Sequence, residues 1–146
     1  MENVFVDANI VMSGLLFKGK ESVLLKLGNL GAIKLVINEY VLKEVEEGLK
    51  KEVFGVPEDD RRHLMRYLLM CVSVVKDPSE ESIKKHWNLL SDKDDLPVFV
   101  GAKEENCDYL VTGDKELLSS KVRKFVNSIK TSEFLKKLSE ERMLCL

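Results

Sequence analysis

Acidic residues stand at positions where predicted strands end and predicted helices begin. Asp7 closes an apolar run near the N-terminus, and Asp114 follows a second such run. Ligands of open α/β sheets bind beyond the carboxyl ends of the strands, so these two side chains would converge if their strands are neighbours. Asp95 lies at the start of the helix that leads into the second run, and its side chain would point to the same edge.

Carboxylates that are brought together repel one another unless a cation joins them. Oxygen ligands with few or no nitrogens favour Mg²⁺ or Mn²⁺ over zinc. One or two such ions would bind a phosphodiester oxygen and generate a hydroxide for in-line attack. Each acid also has a plain structural interpretation, because Asp7 and Asp114 suit turns or helix caps and Asp95 suits a helix N-cap.

Other catalytic and binding motifs are missing from the sequence. None of the eight glycines forms a G-x-G-x-x-G or P-loop pattern, and there is no G-x-S-x-G. The three cysteines are widely spaced, with no C-x-x-C and no nearby histidine, which argues against a zinc site. We expect reduced thiols at all three positions, Cys71, Cys107 and Cys145.

The composition predicts one globular domain over residues 1–146, because apolar residues make up 45% and charged residues 33% of the chain. The longest apolar runs stop far short of a bilayer span. The N-terminus leads directly into an apolar strand, without a basic region or a cleavage site. We therefore expect a cytoplasmic protein that does not associate with membranes.

The net charge of −2 argues at first against a nucleic-acid partner. The distribution of charge is more informative, since six basic residues between positions 121 and 137 face one acid, Glu133. Such a segment predicts either a phosphate-binding stripe or an ordinary solvated face.

Hydrophobic periodicity predicts strands that alternate with helices. The predicted strands cover residues 3–7, 33–37, 72–75, 108–112 and 124–126. The predicted helices cover residues 20–29, 38–51, 57–71, 78–90, 97–106, 115–118 and 132–138. Asn38 is the expected N-cap of the second helix, and Asp77 of the helix that begins at Pro78. The alternation implies a mostly parallel sheet with helices on both faces.

Three blocks of sequence, taken together, resemble a known family. The first is Val4–Val11, an apolar strand that ends in D-x-N. The second is Asn38–Glu44, where the family usually has Ser or Thr six residues before an acid. The third runs from Asp92–Val98 to Asp108–Lys115 and ends in an apolar strand followed by T-G-D. This pattern resembles the PIN domain, a family of small metal-dependent ribonucleases that includes toxins of prokaryotic toxin–antitoxin pairs.

The resemblance implies four catalytic metal ligands, Asp7, Glu44, Asp95 and Asp114. Periodicity alone gives no reason to prefer Glu44 to the neighbouring glutamates, and Asp94 leaves the third ligand open by one position. The resemblance also implies that Asn9 and Thr112 support the site. Basic residues at the rim would position the RNA backbone, and the candidates are Lys115, Lys121 and Lys124.

The resemblance further implies a three-layer α/β/α sandwich with a five-stranded parallel sheet in the order 3-2-1-4-5. One or two Mg²⁺ or Mn²⁺ ions, an RNA substrate, an antitoxin protein as candidate partner and a homodimer belong to the same expectation.

Two other functions match part of the pattern. A phosphatase of the haloacid dehalogenase type also has an apolar strand that ends in aspartate, but it needs D-x-D where this chain has Asn9. Some PIN-like proteins lack activity, so a non-catalytic module that binds RNA or docks a protein is the second alternative.

Overall fold

A computed structural model describes residues 1–142, which are built around one parallel sheet. Its strands are β1 (Asn3–Val6), β2 (Lys34–Asn38), β3 (Val72–Val75), β4 (Tyr109–Val111) and β5 (Ser128–Ile129). The strand order is β3-β2-β1-β4-β5, as predicted. β1 and β4 therefore lie side by side, with Val6 paired to Val111.

Helices flank the sheet and complete the predicted α/β/α arrangement. They are α1 (Ala8–Leu16), α2 (Lys20–Asn29), α3 (Glu39–Leu49), α4 (Glu58–Cys71), α5 (Glu80–Lys85), α6 (Leu96–Glu104), α7 (Ser120–Arg123) and α8 (Thr131–Arg142). Short 3₁₀ turns lie at Glu52–Phe54, Trp87–Leu89 and Lys93–Asp95. No helix within residues 1–142 combines the length and the apolar character needed to cross a bilayer.

The central strands are buried on both faces, which explains their continuous apolar sequence. Val4, Phe5 and Val6 of β1 are fully buried. The helix after β2 begins as predicted, because the side chain of Asn38 accepts a hydrogen bond from the backbone N–H of Val41 at 3.0 Å.

Helix α1 was not predicted. Its sequence, A-N-I-V-M-S-G-L-L, is mostly apolar, and its two polar residues, Asn9 and Ser13, are too few to mark the helical period clearly. The start signal was present, however, since Asp7 is the N-cap and its carboxylate accepts from Ile10 N–H.

The prediction of a long helix from Pro78 to residue 90 was wrong. Ser79 is the N-cap of α5, which ends at Lys85. The carboxylate of Asp77 instead accepts a hydrogen bond from the backbone N–H of Tyr40 at 2.8 Å, so it serves the start of α3.

Two predictions near the C-terminus were also wrong. Residues 115–118 form a turn rather than a helix, and the helical segment begins only at Ser120. The fifth strand lies at Ser128–Ile129 rather than at 124–126. Val126 N–H donates to the carbonyl of Val122 at 3.1 Å, so this short apolar run continues a helical turn and does not join the sheet.

Cys71 and Cys107 are free thiols. The third cysteine, Cys145, lies outside the described residues.

Candidate functional site

A cavity of about 710 Å³ lies at the carboxyl ends of β1 and β4. Its wall comes from three segments of the chain: the start of α1, the segment before α6, and the turn after β4. The lining residues are Asp7, Asn9, Ile10, Ser91, Asp92, Asp95, Gly113, Asp114, Lys115 and Glu116.

Asp7 is buried, and both of its carboxylate oxygens accept hydrogen bonds. Oδ1 accepts from Ile10 N–H at 3.1 Å and so caps α1, while Oδ2 accepts from the hydroxyl of Thr112. Burial raises the pKa of Asp7, and the charge of Asp114 adds to this, although the hydrogen bonds from Thr112 and Ile10 oppose the shift. Asp7 is thus a carboxylate held in one orientation at the floor of the cavity.

Asp114 is fixed by backbone groups of the turn that follows it. Its Oδ1 accepts from the N–H of Glu116 at 2.9 Å and of Leu117 at 3.0 Å. Its own N–H donates to the hydroxyl oxygen of Thr112 at 3.1 Å. The buried Thr112 therefore contacts both Asp7 and the backbone of Asp114.

Asp95 lines the cavity from the N-cap position of α6, but its side chain makes no capping hydrogen bond. Burial raises the pKa of Asp95 to about 7, with further contributions from the charges of Asp114, Asp92 and Asp7. Its neighbour Asp94 is exposed and does not line the cavity. Between the two candidates for the third ligand, Asp95 is the one beside Asp7 and Asp114.

Glu44 is half-buried on α3 and does not line the cavity wall. Burial raises its pKa, followed by the charges of Asp94, Asp7 and Asp92. Glu44 therefore lies near enough to Asp7 to interact with it electrostatically, on the side where Asp94 lies. Tyr40 faces the same group of acids, and burial followed by the charge of Glu44 raises its pKa to about 12.

Glu116 is not one of the site residues predicted from the sequence. Its carboxylate accepts from Ser91 N–H at 2.9 and 3.0 Å and receives Lys121 Nζ at 3.1 Å. The hydrogen bond from Ser91 lowers the pKa of Glu116 to about 2. Glu116 thereby connects the turn after β4 to the segment that carries Asp92, a contact that no local pattern reveals.

The predicted basic residues differ in their relation to the cavity. Lys115 lines it, Lys121 is exposed and reaches it through Glu116, and Lys124 is exposed at the C-cap of α7. Lys137, farther along the basic segment, lies 5.6 Å from the ring of Tyr109, which begins β4 at the opposite edge of the sheet. The basic segment therefore does not form one continuous stripe at the cavity.

The donor set suits a hard cation. All the acids are oxygen donors, and within residues 1–142 the carboxylate of Asp95 and Oδ2 of Asp114 accept no hydrogen bond and form no ion pair. In the same part of the chain, no three acidic, histidine or cysteine side chains lie close enough together to form a metal-binding group. Mg²⁺ does not need one, because it usually keeps several waters and binds through one or two carboxylates.

The family model described as the PIN domain matches residues 3–116. The chain belongs to the PIN-domain family. PIN domains are generally nucleases and typically use divalent metal ions. No curated protein matches the sequence.

Two solved structures share the fold of this PIN domain. PAE2754 from Pyrobaculum aerophilum has a TM-score of 0.67 and 19% identity, covering 95% of this chain and 96% of that one. The second is VapBC2 from Rickettsia felis, in a structure with a DNA fragment from the VapBC2 promoter. It has a TM-score of 0.64 and 14% identity, covering 88% of this chain and 98% of that one. At these identities the likeness concerns the fold.

Proposed function

We propose that this PIN domain is a metal-dependent endoribonuclease that hydrolyses phosphodiester bonds in single-stranded or structured RNA. The observation that supports this most is that Asp7, Asp95 and Asp114 all line one cavity. None of these carboxylates forms an ion pair with a lysine, arginine or histidine in the described part of the chain. Asp7 is buried and the other two are partly buried. Burying a carboxylate without a cation costs free energy, and a bound divalent ion would reduce that cost.

In this proposal four side chains hold one or two Mg²⁺ or Mn²⁺ ions: Asp7, Glu44, Asp95 and Asp114. When bound, such an ion stabilises charge on the phosphoryl oxygens and activates water for attack on phosphorus. Thr112 orients Asp7 through its hydroxyl, and Asn9 and Asp94 lie beside the ligands as supporting residues. No side chain acts as a covalent nucleophile.

Basic residues at the rim would hold the RNA backbone. Lys115 lines the cavity itself, and Lys121 and Lys124 lie on or next to α7. Neutralising Lys121 and Lys124 together should weaken RNA binding and flatten its dependence on salt, because fewer counterions are released. An unchanged salt slope would remove these two lysines from the proposal.

The decisive experiment is an RNA cleavage assay in Mn²⁺ that compares the wild type with Asp7→Asn, Asp95→Asn and Asp114→Asn. Each Asn keeps a side-chain oxygen, so the caps at Asp7 and Asp114 are preserved while the charge is lost. Asp108→Asn is the matched control, since Asp108 accepts from Asn3 N–H at the opposite edge of the sheet. Cleavage should fall by about 100-fold or more in the three cavity variants and stay unchanged in the control.

Equal cleavage by all four variants would identify a contaminating nuclease and reject the proposed site. Comparing Asp94→Asn with Asp95→Asn decides the third ligand. Binding of RNA without any metal-dependent cleavage would favour the non-catalytic module. Because the chain belongs to the PIN family, the dehalogenase-type phosphatase has no support from the fold.

We also propose that this chain binds an antitoxin protein and forms a homodimer, and that it acts in the cytoplasm. The support for these proposals is the membership in the PIN-domain family. The toxin role would be supported if a neighbouring gene encoded a small DNA-binding protein. That protein should copurify with this chain and inhibit its cleavage of RNA. Light scattering on the purified chain tests the homodimer, and a monomer at all concentrations would exclude it.

A further inference from the structure

Two aromatic side chains remain half exposed on segments that lead to the carboxylate cavity: Trp87, which is 46% exposed, and Phe125, which is 49% exposed. They are linked through His86, which precedes Trp87 in the chain and packs edge-on against Phe125, with ring centroids 6.4 Å apart. The buried ring of Phe99 supports this patch, at 6.0 Å from Phe125 and 5.5 Å from His86. We call His86, Trp87 and Phe125 the aromatic patch.

A lysine lies against each of the two exposed rings. Lys93 Nζ is 5.1 Å from the ring centroid of Trp87, and it is fixed by hydrogen bonds to the carbonyls of Trp87 and Leu90. Lys103 Nζ is 5.1 Å from the ring centroid of Phe125 and 2.9 Å from His86 Nε2. Aromatic faces next to fixed ammonium groups suit a ligand that combines flat bases with a phosphate chain.

Both halves of the patch are connected to the cavity wall. The segment that begins at Trp87 continues into Ser91 and Asp92, which line the cavity. Phe125 follows α7, and Lys121 of that helix binds Glu116, which also lines the cavity. Lys93, whose ammonium group lies over the ring of Trp87, directly follows the cavity residue Asp92, so this ring lies near the cavity wall.

We propose that the aromatic patch is a base-stacking subsite for single-stranded RNA, with Trp87 as its principal platform. This inference rests on the proposed ribonuclease function. Stacking accepts any base, because every base has a π-face, so the subsite would grip unpaired RNA without reading its sequence. A protein partner is less well matched to this surface, since lysines are depleted at the core of protein interfaces.

Binding is measured in EDTA, so that cleavage does not interfere. The probes are a fluorescein-labelled oligoadenylate and an abasic ribose-phosphate strand of the same length. Trp87 is the only tryptophan in the chain, so stacking should quench the intrinsic fluorescence on addition of unlabelled oligoadenylate and leave it unchanged with the abasic strand.

Trp87→Ala should weaken oligoadenylate binding by about 5- to 150-fold, the range that one stacked base supports, without changing affinity for the abasic strand. Trp87→Phe should retain most of the affinity, because the platform remains aromatic. Phe125→Ala should lower the affinity in the same base-dependent way. Phe17→Ala is the matched control, since Phe17 is 62% exposed at the far end of α1 from Asp7.

Equal affinity for the two strands, or no quenching by oligoadenylate, would overturn the inference even if cleavage is observed. A change in oligomeric state in Trp87→Ala with unchanged RNA affinity would also overturn it and assign the patch to a protein interface. Base-dependent binding by a chain that never cleaves RNA would leave the stacking subsite in place and reject the nuclease. Circular dichroism of each variant excludes unfolding as the cause of a loss.

Discussion

The hydroxyl of Thr112 donates a hydrogen bond to Oδ2 of Asp7, which joins the carboxyl ends of β4 and β1. The same hydroxyl oxygen accepts the backbone N–H of Asp114 at 3.1 Å. Thr112 is fully buried, so no water competes for either bond. One side chain thus fixes the positions of two carboxylates that are 107 residues apart in the sequence.

Replacing Thr112 by Val should lower the free energy of unfolding by about 1–3 kcal/mol, because Asp7 loses its hydroxyl donor in a buried place. The pKa of Asp7 should rise further, since the bond from Thr112 opposes the effect of burial. Urea unfolding measures the first effect. Thr112→Ser keeps the hydroxyl and is the control; a Ser variant as unstable as the Val variant would show that the methyl group matters rather than the hydrogen bond.

Asn38 connects the helix of Glu44 to the helix of Asp95. Its Oδ1 caps α3 at Val41 N–H, and its Nδ2 donates to the carbonyl of Pro97 in α6 at 3.0 Å. Asn38→Ala should cost about 1–3 kcal/mol of unfolding free energy. Asn38→Ser should recover about 1 kcal/mol of this loss. The serine hydroxyl restores the cap, but the shorter side chain does not reach the carbonyl of Pro97. Equal stability of the two variants would contradict a role for the cap.

Glu116 should matter for metal affinity although it is not a proposed ligand. Its carboxylate accepts a hydrogen bond from the backbone N–H of Ser91, which precedes Asp92. Groups that orient the ligands of a metal site typically contribute 10- to 100-fold to metal affinity. We therefore expect Glu116→Ala to lower the affinity for Mn²⁺ by about tenfold. Lys121→Ala removes only the exposed ion pair and should have little effect. Calorimetric titration with Mn²⁺ measures both. Similar losses in the two variants would assign the effect to the ion pair.

The stability of the metal-free protein should fall as the pH rises from about 4 to about 7. The pKa of Asp95 is raised from its ordinary value of 3.8 to about 7, so the folded state binds a proton that the unfolded chain has already released in this window. Asn cannot ionise, and Asp95→Asn should therefore show a shallower fall. Urea unfolding in EDTA across this pH range measures the slopes, and identical slopes would contradict the assignment to Asp95.

Much of the fold followed from local sequence signals. β1 and β4 are apolar runs because both faces are covered, and the cap at Asn38 was recognisable from residue type alone. Helix α1 was not predicted, because its sequence is mostly apolar and only Asn9 and Ser13 mark a polar side. The strand predicted at residues 124–126 was wrong, because its apolar residues are equally compatible with a helical turn. Val126 lies four residues after Val122 and donates its N–H to the carbonyl of Val122.

The candidate site was predictable in its strand-end acids and much less so in its contacts. Asp7 and Asp114 were predictable because they follow strands that end at the same edge of the sheet. The choice between Asp94 and Asp95 depends instead on a 3₁₀ turn, in which the side chain of Asp92 accepts a hydrogen bond from Asp94 N–H. Glu116, 25 residues from its partner Ser91, had no signal at all, because the contact exists only after the sheet has formed.

The pairing of Val6 with Val111 has a consequence for synthesis of the chain. Asp7 and Glu44 leave the ribosome early, but β4 and Asp114 can join them only after most of the domain has been made. Closing so long a loop is an entropic cost that no local segment can offset. A nascent chain that stops short of β4 therefore holds scattered acids and no assembled cavity, and whatever chemistry the cavity performs begins only after β4 has been made.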